Sequence, residues 1–267
     1  MKTLRVYGDS YAVKSLDSLC WPELLSERLG IPLINQAVGG SSTEFSMINI
    51  DNDIDNNIIG DNDIICFVMT TYGRVNLRYV TDNVPNKASN YLHDLEANNK
   101  DPWIRDNKKF VDWYLVNRDD RLLRINQQSY IHYLIDYASS KPNVTFILLK
   151  NLSFEERLPY MLPQNFLMPD IYLGKISRDE IRNFNSDDEY RANLKFDPRS
   201  NHLTEPNLKI LVNLIVQSIQ ELTVNNFKYE CFQSKILDKT INLNQYLNYV
   251  NLGILAKNDE TIKKLSG

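Results

Sequence analysis

An α/β domain built on a parallel, doubly wound sheet is the fold this sequence predicts, and three observations predict it. Short apolar runs that read as buried strands recur at Leu4 to Tyr7, Pro32 to Ala37, Ile64 to Met69 and Val144 to Leu149. Helical patterns lie between them, and strand alternating with helix is the mark of parallel strands joined by crossovers. The 267 residues suffice for one large domain of this kind, or one domain with an appendage, without help from disulfides or metals.

The first strand, Leu4-Arg5-Val6-Tyr7, follows Met1 almost at once, with no apolar signal region before it. The expectation is therefore a cytoplasmic or otherwise soluble protein without its own signal peptide. Trp21 to Gly30 places Pro22 in a first turn, apolar residues at helical spacing and a glycine at the end, which together signal a helix. After the third strand the pattern is irregular from Val75 to about Arg118 and reads as an insertion, then turns helical up to Ala138 before the fourth strand. The polar stretch of about 151 to 199 carries Phe154, Tyr160, Phe166 and Tyr172 and reads as a lid-like loop. Leu208, Leu211, Val212, Ile215, Ile219 and Leu222 form one apolar helical stripe that closes the domain. The expected boundaries are thus a domain over 1–223 and a C-terminal appendage over 224–267. The appendage, with Phe227, Tyr229, Tyr246 and Tyr249, is a candidate surface for an oligomer or a protein partner.

Composition narrows the function classes. A net charge of -4, with Lys and Arg dispersed, gives no footprint for nucleic acid or an anionic membrane. No stretch reaches the roughly 20 apolar residues of a membrane span. Cys20, Cys66 and Cys231 are odd in number and widely spaced, so they read as buried free thiols instead of a disulfide framework or a zinc site. Asp51-Asn52-Asp53-Ile54-Asp55 has the opening of a calcium loop, but Asn56 stands where glycine is needed and Asn62 where glutamate is needed, so it reads as a solvated acidic turn. No phosphate loop, dinucleotide fingerprint or His-Glu-x-x-His is present, and neither a cofactor nor a metal is expected.

Three segments hold candidate chemistry. Gly8-Asp9-Ser10 follows the first strand, where the carboxyl ends of parallel strands form a ligand crevice. A serine there needs a base to take its proton and donors aimed at the developing oxyanion; otherwise it is a strand-ending turn. Asn35-Gln36-Ala37-Val38-Gly39-Gly40-Ser41-Ser42 follows the second strand, and its paired glycines allow close approach of a backbone N–H, although a plain strand-to-helix turn explains them as well. Asn201-His202-Leu203-Thr204 precedes the closing helix, with Thr204 as its N-cap. His93 and His132 lie in the insertion and in a helical pattern, which leaves His202 as the candidate base.

Taken together, Gly8-Asp9-Ser10 after strand one, the Asn35 to Gly40 segment after strand two and His202 before the last helix resemble the SGNH/GDSL hydrolases. The resemblance spans roughly residues 1 to 223, with the insertions unmatched, and Trp21 to Gly30 is similar to the helix that follows the nucleophile in that family. It implies a three-layer α/β/α, flavodoxin-like sheet. It also implies Ser10 as nucleophile, the N–H groups of Ser10 and Gly40 as oxyanion donors, and His202 as general base. Two blocks depart from the family. In Met69-Thr70-Thr71-Tyr72-Gly73-Arg74, Tyr72 stands at the position of the oxyanion asparagine, so Tyr72, Arg74 and Asn76 are the candidate replacements. In the last block Arg199 stands where the family places aspartate. Asp197, five residues before His202, is then the candidate third triad member; the alternative is a Ser-His dyad oriented by a backbone carbonyl.

The resemblance implies a serine esterase acting on a small-molecule or carbohydrate ester, with an O-acetyl group as the family-level expectation. The same residues serve an acyltransferase when an alcohol replaces water. The reading from a different class is a non-catalytic binding or assembly module on the same fold.

Overall fold

The computed structural model describes residues 2–13, 20–39, 41–70, 119–151, 158, 161–181 and 203–233. Five strands, β1 (Leu4–Tyr7), β2 (Leu33–Asn35), β3 (Ile64–Met69), β4 (Thr145–Lys150) and β5 (Phe166–Leu167), form one sheet. All its pairings are parallel and its order is β2-β1-β3-β4-β5. This is the flavodoxin-like doubly wound order, in which the direction of winding reverses between β1 and β3. The α/β prediction therefore holds, and the crevice belongs at the carboxyl ends of those two strands.

Alternation along each strand sends side chains to two separate cores. On one face Leu4, Val6, Ile64, Cys66, Val68, Ile147 and Leu149 pack with α1 (Trp21–Leu29) and a long helix over Glu205–Glu221. On the other, Tyr7, Ile65, Phe67, Met69, Phe146 and Leu148 pack with α2 (Thr43–Asp55) and α3 (Asp120–Ser140). Helices on both faces make three layers. A further helix, α4 (Leu173–Ile181), joins the first core, which makes Glu205–Glu221 the fifth, α5.

Local signals explain the element ends. Pro22 opens α1, and Gly30 closes it in the left-handed region at φ 66, its N–H donating to the Glu27 carbonyl at 3.2 Å. The Ser42 hydroxyl accepts from the Phe45 N–H and caps α2. Thr204 sits at the N-cap position of α5 as expected, but its side chain makes no capping bond; Pro206 in the first turn supplies the start signal.

Some expectations need correction. The stretch of about 151 to 199 is not wholly lid-like, because its described part supplies β5 and α4, with Phe166, Leu167, Leu173 and Ile176 buried. A two-residue strand is too short to show periodicity, and Phe166 is held by parallel pairing to Phe146 and by stacking of their rings at 6.1 Å. Cys20 and Cys66 are buried free thiols, whereas Cys231 is exposed. Asp51 to Asp55 is the end of α2 and no solvated turn, since Asp53 points inward and is buried. Residues 224–233 lie against the first core: Phe227 and Phe232 are buried in it, Asn207 Nδ2 donates to the Gln233 carbonyl at 2.8 Å, and the Gln233 N–H returns to Asn207 Oδ1 at 2.7 Å. Among the described residues no helix is long and apolar enough to cross a membrane, and no group of His, Cys, Asp and Glu is placed to hold a metal.

Candidate active site

The turn that carries Ser10 starts from a glycine whose site has no room for a side chain. Gly8 follows β1 at φ +151, and a Cβ built on it would lie 2.6 Å from Val68 Cβ on the adjacent strand. Without that side chain the first strand runs tight against β3 and then turns sharply at the switch point. Asp9, fully buried, accepts from the Tyr11 N–H at 3.0 Å and so starts the short 3-10 turn Ser10–Ala12. Two outside groups latch this turn: Trp21 Nε1 donates to the Tyr11 carbonyl and Asn35 Nδ2 to the Ala12 carbonyl, each at 2.8 Å. Ser10 itself is half-buried on the carboxyl rim of the sheet.

The segment after β2 folds back onto that turn. Asn35 uses both ends of its amide, Nδ2 on Ala12 and Oδ1 accepting from the Ala37 N–H at 3.0 Å. The Val38 N–H and the Ser41 hydroxyl both donate to the Gly8 carbonyl, at 3.0 and 2.9 Å. A Cβ added at Gly39 would reach ordinary contact with Ser10 Cβ, 4.0 Å away. The start of this segment is therefore more than a connection between strand and helix: it is bonded to the Gly8 carbonyl, and Gly39 faces Ser10 across a gap that one Cβ would just span.

The end of β3 lies on the same carboxyl rim. The Thr70 carbonyl accepts from Gln127 Nε2 of α3 at 2.7 Å and from Thr43 Oγ1 of α2 at 3.3 Å. Further along the rim Lys150, at the end of β4, is buried with its Nζ 3.7 Å from Asp170 Oδ1 and 4.9 Å from the Tyr172 ring centroid. Neither Gln127 nor Lys150 stands out in the sequence, because each lies inside an otherwise apolar helix or strand pattern and its partners are remote in the chain.

Beneath the rim a buried charged cluster ties β1 to α2. Arg5 Nε donates to Asp63 Oδ2 at 2.9 Å, its Nη1 reaches Asp53 Oδ2 at 3.4 Å, and its Nη2 donates to the Ile58 carbonyl at 2.8 Å. Burial alone would lower the Arg5 pKa, but the bond to Asp63 and the neighbouring carboxylate charges raise it above its ordinary value. Tyr7 Oη donates to Asp53 Oδ2 at 2.6 Å, and burial first, then that bond, push the phenol far above its ordinary range. Gln36 Nε2 donates to the same Asp53 oxygen at 2.8 Å, which links the cluster to the segment beside Ser10.

Of the residues singled out in the sequence, Ser10 and Gly39 are brought together at the switch point. Gly40, Tyr72, Arg74, Asn76, Asp197 and His202 lie outside the described residues. His132 is on α3, with Gln128 Nε2 3.1 Å from its Nε2. It lines a cavity of about 670 Å³ with Pro142, Met161 and Pro163, residues that precede β4 and β5 and so belong to the amino rim, opposite Ser10.

No family model and no curated protein matches this chain. Among solved structures it is similar to one from Desulfitobacterium hafniense DCB-2 described as a "putative lipolytic protein of G-D-S-L family". The identity is 17% and the TM-score 0.28, over 61% of this chain and 63% of that one. The chain thus matches less than two thirds of that protein's length, and at this degree of similarity the likeness assigns neither family nor chemistry.

Proposed function

We propose that this protein is a serine hydrolase that acts on esters, with Ser10 as nucleophile and His202 as general base. The observation that carries the reading is the seating of Ser10. It stands in a latched turn at the carboxyl end of β1, at the switch point, with Gly39 facing it across a gap that one Cβ would just span. In this reading Ser10 attacks the ester carbonyl, and the N–H groups of Ser10 and Gly40, with Tyr72 as a third donor, receive the oxyanion. His202 takes the serine proton and returns it to the leaving alcohol, Asp197 orients the imidazole, and water then releases the acyl group. The substrate class is a small-molecule or carbohydrate ester, and an acceptor alcohol in place of water would make the same residues an acyltransferase.

The experiment is labelling with a fluorophosphonate, read by intact-protein mass spectrometry beside Ser10→Ala. One adduct on the wild-type protein and none on the variant is expected. Equal labelling of both, or none on either while a known esterase reacts, refutes the proposal.

A further inference from the structure

Gln127 occupies a place on α3 that the helix pattern reserves for an apolar side chain. It lies on the same stripe as Ile131, Leu134, Ile135 and Ala138, all buried against the sheet, and it is itself 2% exposed. Its amide nitrogen is well used, donating to the Thr70 carbonyl at 2.7 Å and lying 3.4 Å from Thr43 Oγ1. Its amide oxygen is not: Oε1 is buried without a hydrogen-bond partner among the described residues, as is Thr70 Oγ1. Burying an amide with half its hydrogen-bonding capacity unmet costs free energy that an apolar residue of the same shape would not incur. What a glutamine provides here that an apolar residue would not is the bond to the Thr70 carbonyl, set against the cost of its unmet oxygen.

The Thr70 carbonyl is the point where three elements meet: β3 ends at Met69, α2 starts at Thr43, whose hydroxyl also donates to that carbonyl, and α3 supplies Gln127. Two residues before Thr43 along the backbone is Ser41, whose hydroxyl donates to the Gly8 carbonyl at the head of the Ser10 turn. We propose that Gln127 is a positioning residue for the Ser10 site: by holding the Thr70 carbonyl it fixes the start of α2, and with it Ser41, whose hydroxyl holds the Gly8 carbonyl two residues before Ser10. The inference rests on the reading of Ser10 as an activated nucleophile. Gln127 touches no reacting atom; it acts through Thr70 and Thr43.

The test uses the full chain and two substitutions on the same carbonyl, Gln127→Met, which keeps the length and removes the donor, and Thr43→Val. The readouts are the second-order rate of fluorophosphonate labelling at Ser10, its pH profile, and the melting temperature. Loss of alignment at a reacting centre is expected to slow labelling by about ten- to a hundredfold in Gln127→Met, and in the same direction in Thr43→Val. The melting temperature of Gln127→Met should stay within about 3 °C of wild type, and the pH midpoint of labelling should not move, because the base is untouched. Labelling within about twofold of wild type in folded Gln127→Met, or slowing in both variants that only tracks lost melting temperature, overturns the positioning role while leaving the hydrolase reading intact. Failure of the wild-type protein to label overturns both.

Discussion

Gly8 and Val68 approach across β1 and β3 so closely that a Cβ on Gly8 would lie 2.6 Å from Val68 Cβ and 3.1 Å from the Val68 carbonyl oxygen. The contact sets how near the Ser10 turn lies to the end of β3. Gly8→Ala must therefore separate the two strands or strain a backbone at φ +151, at a cost on the order of 2 kcal/mol or more. Urea denaturation should show that loss, and Ser10 labelling should fall with it. Val68→Ala should not rescue the variant, since the clash is with the Cβ that alanine keeps.

Arg5 holds two buried carboxylates, Asp53 and Asp63, and through them the start of β3 and the end of α2. Arg5→Met leaves both acids without their cation and should destabilise the fold by about 3 to 5 kcal/mol at neutral pH. A midpoint of urea unfolding within experimental scatter of wild type would show that the cluster contributes nothing net.

Alkaline pH should weaken the fold in a defined window. Cys66, fully buried in β3, and Tyr7 are both held protonated in the native state, by burial in each case and for Tyr7 also by its bond to Asp53. In the unfolded chain they ionise near their ordinary values of 9.0 and 10.0. Above those values the native state binds more protons than the unfolded one, so their contribution is complete below pH 9 and declines as pH rises further. Unfolding in urea at pH 8, 9, 10 and 10.5 should show this decline. Cys66→Ala should make it shallower, while lowering stability at pH 7 through the lost packing.

The segment after α5 should prove part of the domain. Phe227 and Phe232 are buried in the first core, and the Tyr172 N–H donates to Tyr229 Oη at 2.9 Å. A chain ending at Thr223 loses all three and should be less stable than one ending at Gln233 by at least about 3 kcal/mol, the scale of a single buried phenylalanine. Equal stability of the two would mean that these residues only rest on the surface.

What could be read from the sequence was whatever is encoded locally. The apolar runs of β1 and β3 are visible at their true bounds, because buried parallel strands are apolar on both faces. Pro22 and Gly30 mark the ends of α1 by backbone restriction alone. Gly8-Asp9-Ser10 could be placed after the first strand because it adjoins that strand in the chain. The strand order, by contrast, depends on which strands pair, and pairing β1 with β3 instead of leaving it at an edge is a property of the packed whole. The inward turn of Asp53 was hidden for the same reason: its partner Arg5 lies 48 positions away, and a carboxylate reads as solvated until a buried guanidinium faces it. Gln127 and Thr70, 57 positions apart, show the limit most plainly, since a glutamine on an apolar stripe gains its meaning only from the carbonyl that folding sets 2.7 Å from it.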